Sequence, residues 1–214
     1  MVKDSNNHLE VLAEIRTIME RSSRFISLSG LSGVAAGTCA LLGAIAAYIY
    51  LGTTPFAGKR FYYDIIQSET NWGIDYLQFF FLDAGLVLVA ALASGIYFTT
   101  RKAQRRGEPI WDASTQRLLV NLGIPLVTGG IFVLALIRYG LFGLVAPSTL
   151  IFYGLALING SKYTINDIRY LGICEIILGL LGLFFVGFGL ELWAIGFGVL
   201  HILYGVMMYI KYER

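Results

Sequence analysis

The segment Arg101–Arg117 constrains this chain more than any other. It reads R-K-A-Q-R-R-G-E-P-I-W-D-A-S-T-Q-R and holds five Lys/Arg in seventeen residues. It lies between two apolar runs, each long enough to cross a bilayer. Lys and Arg beside span ends resist translocation, so this loop is expected on the cytoplasmic side. Fixing the loop fixes the direction of every other segment.

The remaining composition agrees with a membrane chain. Of 214 residues, 57% are apolar and only 14% charged, whereas soluble domains carry about 25% charged residues. A water-soluble fold of this size has no means to hide that much apolar surface. No soluble segment interleaves basic and aromatic residues, which speaks against nucleic-acid binding. H-E-x-x-H, C-x-x-C, G-x-S-x-G and phosphate-loop patterns are absent from the sequence, so it points to no catalytic residue, metal or cofactor. Cys39 and Cys174 fall inside apolar runs and read as small buried hydrophobes rather than a disulfide. Eight charges precede Phe25 with no cleavage pattern after the apolar run, so the first span is expected to act as an uncleaved signal anchor.

Residues 8–24 have helical periodicity. Val11, Leu12, Ile15, Ile18, Met19 and Ser22 form one stripe, with Glu10, Glu14, Arg16, Glu20 and Arg21 mostly elsewhere. Segment 1–27 therefore reads as an amphipathic cytoplasmic helix on the membrane surface or against the bundle, with a dimerising helix as the competing reading. Residues 28–210 read as an all-α bundle of six transmembrane helices, spans falling at about 28–51, 77–99, 118–136, 142–159, 170–188 and 190–210. A cytoplasmic tail, 211–214, follows.

In the first span Ser29, Gly33 and Gly37 are spaced four apart, as are Ala36, Ala40 and Ala44. Such spacing lets helix backbones approach closely in lipid, so this span is expected inside the bundle. Residues 53–76 form an aromatic-rich outer loop, an interfacial anchor or a ligand-binding lid. Pro125 and Pro147 lie inside the third and fourth spans and are expected to kink them. With both termini inside, thirteen Lys/Arg lie on inner segments and Lys59, Arg60 and Arg138 on outer ones. That bias assigns an N-in, C-in topology.

Ionisable residues inside spans are costly unless paired or wet, which makes Asp83, Glu175 and His201 candidates for a ligand or ion pathway. Arg138 and Asn121 join them by depth. Asp83 is within reach of either Arg138, as a structural ion pair, or His201, as a proton-handling pair. His201 alternatively reads as a hydrogen-bonded packing residue. With His8 the only other histidine, a metal or haem role has little support. Glu175 is expected near Asn121 and the inner loops. Arg21 and Arg24, with Arg101, Lys102, Arg105, Arg106 and Arg117, face one compartment and are candidate contacts for lipid phosphates or a partner protein.

At Glu20-Arg21-Ser22-Ser23-Arg24-Phe25, Gly30-Leu31-Ser32-Gly33, Gly107-Glu108-Pro109-Ile110-Trp111-Asp112 and Gly196-Phe197-Gly198-Val199-Leu200-His201, the chain resembles uncharacterised six-span bacterial inner-membrane proteins of about this length. The resemblance covers most of the chain. It implies a multi-pass protein of the bacterial cytoplasmic membrane and brings no activity, substrate or site residue with it. No repeat relates the two halves, so the symmetry of many transporters is not visible.

Three readings of function follow. The first is a non-catalytic sensor, regulatory or assembly subunit, with a basic cytoplasmic face that meets anionic lipids, a protein partner or a second copy. The second is a small transporter or channel using Asp83, His201 and Glu175. The third is a membrane enzyme acting on a lipid.

Overall fold

The apolar runs fold as helices because every backbone polar group in hydrocarbon must be satisfied within its own segment. The computed structural model describes residues 29–56, 73–107 and 109–214. Among these the chain is helical, with no strand. The N-terminal amphipathic segment, Arg21 and Arg24 included, and most of the outer aromatic loop lie outside the described residues.

Six helices follow one another: α1 (Gly30–Leu51), α2 (Tyr76–Arg106), α3 (Ala113–Arg138), α4 (Val145–Gly160), α5 (Ile168–Phe184) and α6 (Gly189–Tyr212). Five are long and apolar enough to cross a membrane. The remaining one, α5, has 17 residues, which sets its length at about 25 Å from the helical rise. These helices make the chain an integral membrane protein by length and composition.

Several boundaries differ from the sequence expectation. Helix α2 continues to Arg106 and is stopped by Gly107, whose φ of 64° suits the left-handed C-cap. Arg101–Arg106 therefore ride the last turns of a helix rather than a loop. Asp112 then caps α3, its carboxylate accepting from the Thr115 N–H at 2.7 Å. Partial burial pushes the Asp112 carboxyl up, but the bonds from Thr115 outweigh it and hold the group below its usual range. Pro147 lies in the first turn of α4, where its missing N–H has no intrahelical partner to lose. Only Pro125 is inside a helix body.

The packing order runs α2–α1–α6, then α6 against α4 and α5, then α4 against α3. Glycines set the closest approaches. A Cβ on Gly205 of α6 would meet the backbone of Gly30 and Val34 in α1, and one on Gly37 would meet Gly198 and Ile202. In α4 and α5, Gly154 and Gly172 face each other's carbonyls. Small residues here bring two backbones into dispersion contact, the main attraction available where lipid is as apolar as leucine. Ala40, Ala44 and Ala47 are buried, but Leu42, Ile45 and Ile49 on the other face of α1 are exposed, so one face of this helix rather than the whole span is enclosed. Leu86, Val89, Leu92 and Ile96 of α2 are likewise exposed, the surface that lipid covers.

Candidate functional site

The buried stripe of α5 runs Ile168, Leu171, Gly172, Glu175, Gly179, Gly182. Glu175 occupies a position in that stripe where an apolar residue would be ordinary, and its side chain is 0% exposed. Opposite it, α6 opens into a π-helical section, Ala194–Leu200. Wider turns of this kind recur at functional sites. Gly196 within it has no side chain, and that is what admits Glu175: a Cβ there would collide with the carboxylate oxygen and with Leu150.

His201 begins the α-helical remainder of α6 and is 6% exposed. Twelve residues separate it from Gly189 and eleven from Tyr212, so it lies near mid-helix, about 17 Å from either end. Its Nδ1 is 3.0 Å from the Gly196 carbonyl and 3.4 Å from Glu175 Oε1. A carbonyl only accepts, so Nδ1 carries a proton. In the neutral ring Nε2 then accepts from the Tyr153 hydroxyl of α4, at 2.8 Å. Phe197 stacks beside His201 at 5.9 Å between centroids and against Tyr153 at 4.9 Å. Trp193 adjoins Phe197 one turn further.

Three helices thus bring a hydroxyl, an imidazole and a carboxyl into one line. Neither oxygen of Glu175 has a hydrogen-bond donor among the described residues. An unpaired polar group in such surroundings costs about 1–3 kcal/mol, and more when charged. The α1 helix, which also packs on α6, brings no charged side chain. The cluster can hold protons in more than one arrangement. When His201 is doubly protonated, Nε2 donates to the Tyr153 oxygen, Nδ1–H stays on the Gly196 carbonyl, and the added charge lies 3.4 Å from Glu175 Oε1.

The other candidates lie elsewhere. Asp83 is half-buried on α2 and faces Gly43 of α1, whose absent Cβ would stand 3.4 Å from its Oδ2. It pairs with neither His201 nor Arg138; Arg138 is exposed at the end of α3, which packs on α4. Asn121 is not beside Glu175. It donates to the Arg117 carbonyl at 2.8 Å and accepts from Asn159 Nδ2 of α4 through its own carbonyl, at 2.9 Å. Residue-level reasoning missed Tyr153 and Gly196. The legible signal was a tyrosine and a G-F-G step at the same level as an intramembrane histidine.

Of the basic candidates, Arg101, Arg105 and Arg117 are exposed. Lys102 is buried and lies 3.4 Å from Glu213. Arg106 donates to the Tyr212 carbonyl at 2.9 Å. Among the described residues no group of three His, Cys, Asp or Glu gathers as a metal set. No family model, curated protein or solved structure matches the chain.

Proposed function

We propose that this protein is a non-catalytic membrane module, a sensor or regulatory subunit, in which proton occupancy of the Glu175–His201 pair sets how α6 packs against α4 and α5. One observation carries the reading. A wholly buried carboxyl touches a mid-helix histidine and a π-helical backbone, yet has no hydrogen-bond donor among the described residues. Changing the proton count there changes the charge that three packed helices must accommodate, which is how a buried pair biases a two-state element.

The module lies in a bacterial cytoplasmic membrane as six spans with both termini inside. Supporting this, the ends that carry Arg101–Arg117, Lys162, Arg169, Lys211 and Arg214 share one face, while Arg138 is the basic residue at the other among the described residues. That face reports the packing state to a partner, because Glu213, directly after α6, ties this end of the helix to α1 and α2. Asp83 stands apart from the pair, so the three-residue transport path has no continuous support.

Hydrogen exchange of α5 and α6 in lipid nanodiscs tests the reading. The wild type should show pH-dependent protection that Glu175→Gln and His201→Phe remove. Proton flux into proteoliposomes that requires Glu175 would instead establish transport.

A further inference from the structure

At the basic end of α4 and α5, Ser161, Lys162, Asn166, Arg169 and Tyr170 line an open pocket of about 370 Å³. From this we propose that the pocket is a specific site for the phosphate headgroup of an anionic membrane lipid, separate from the buried pair.

The charge balance favours an anion. The one acid of this turn, Asp167, is directed away: Lys211 Nζ of α6 donates to it at 2.7 Å and the Tyr212 hydroxyl at 3.0 Å. Lys162 and Arg169 are both exposed, and neither forms an ion pair among the described residues. Two cations and the Tyr170 hydroxyl therefore converge with no counter-charge. Guanidinium and ammonium together suit a phosphodiester, the first through paired donors and the second as a point charge.

The surface below the pocket identifies the source of the phosphate. Tyr170, Ile173, Ile177, Leu180 and Phe184 follow one another at helical spacing on α5, and all are exposed, from 38% to 83%. This apolar stripe starts at the pocket rim and runs down the helix, the place for an acyl chain whose headgroup is held above. A soluble phosphate would use the rim alone. Basic pockets at the ends of membrane helices bind anionic headgroups in this manner.

The test is a titration of the purified full chain with phosphatidylglycerol and phosphatidylcholine, followed by native mass spectrometry. The proposal expects preference for phosphatidylglycerol, weakened about thirtyfold in the Lys162→Gln/Arg169→Gln double variant, as two headgroup-level cations would contribute. The charge-matched Arg101→Gln/Arg105→Gln variant should keep the preference. Equal loss in both double variants would overturn the site, because it would mark diffuse attraction to the basic face. Displacement of the lipid by millimolar glycerol 3-phosphate or inorganic phosphate would overturn the lipid assignment. Both pairs of residues are exposed, so an unchanged melting temperature verifies that each variant folds.

Discussion

Glu213 Oε1 lies 3.4 Å from Lys102 Nζ, and the same carboxylate accepts from the Gly30 N–H and the Ser29 hydroxyl. One side chain after the last turn of α6 thus caps the start of α1 and pairs with the end of α2. A carboxylate suits this place, because the first N–H groups of a helix lack internal partners and carry the positive end of its dipole. Glu213→Ala is expected to cost about 2 kcal/mol, from a lost cap and a broken, largely buried pair. Thermal unfolding in detergent should show a melting temperature lower by about 4–8 °C. Glu213→Gln keeps acceptor and shape and should lose less.

The α1–α6 contact makes a sharper contrast between two glycines. A Cβ at Gly205 would meet the Val34 N and Gly30 O atoms, whereas one at Gly85 of α2 meets nothing within 4 Å among the described residues. Gly205→Ala must therefore separate two backbones and is expected to destabilise by about 1–3 kcal/mol. Gly85→Ala should be neutral or slightly stabilising, since alanine is the better helix former. Melting curves of the two variants side by side check this.

Gly196→Ala acts on the buried site itself. The new methyl would displace the Glu175 carboxylate and Leu150, while leaving Tyr153 and His201 chemically intact. The expected result is a shift of the His201 ring resonances in nitrogen NMR, because Nδ1 loses its neighbour at 3.4 Å. Unchanged resonances would mean that the carboxyl does not bear on the ring.

Asp167 supplies a pH dependence whose sign follows from its partners. The hydrogen bond from Lys211, chiefly, and that from the Tyr212 hydroxyl hold its carboxyl below the usual range. A depressed folded-state pKa adds stability that is present above the unfolded value and lost as pH falls through the folded one. Acid should thus loosen the α5–α6 connection only below the ordinary carboxylate range. Asp167→Asn is expected to lower the melting temperature only slightly at neutral pH, because Lys211 is exposed and the pair is screened by solvent. The wild type and variant melting temperatures should converge in acid.

The helices were legible because continuous apolar runs leave the backbone one way to satisfy itself, and the spacing of Gly37, Ala40 and Ala44 marked the buried face of α1, while Leu42, Ile45 and Ile49 keep its other face exposed. What the sequence could not convey was azimuth. Depth alone left Asp83 in reach of His201, yet a side chain on α2 that faces α1 has no line to α6. Helix α5 starts at Ile168, two residues before the span start expected near 170, which sets Glu175 about 3 Å further along the helix. The π-helical section has no local sequence signal beyond its glycines, and it is this section that aligns Gly196 with both Glu175 and His201.

The measurement that bears most directly on the central claim is the distance between spin labels at Ile177 and Leu203, both exposed on α5 and α6. It is followed in nanodiscs from about pH 4 to pH 9, a span that covers ordinary carboxylate and imidazole titration. If the Glu175–His201 pair sets the packing of these helices, the wild-type distance changes with pH and stays fixed in both Glu175→Gln and His201→Phe. A wild-type distance that holds across the whole range would contradict the account and reduce the pair to static packing.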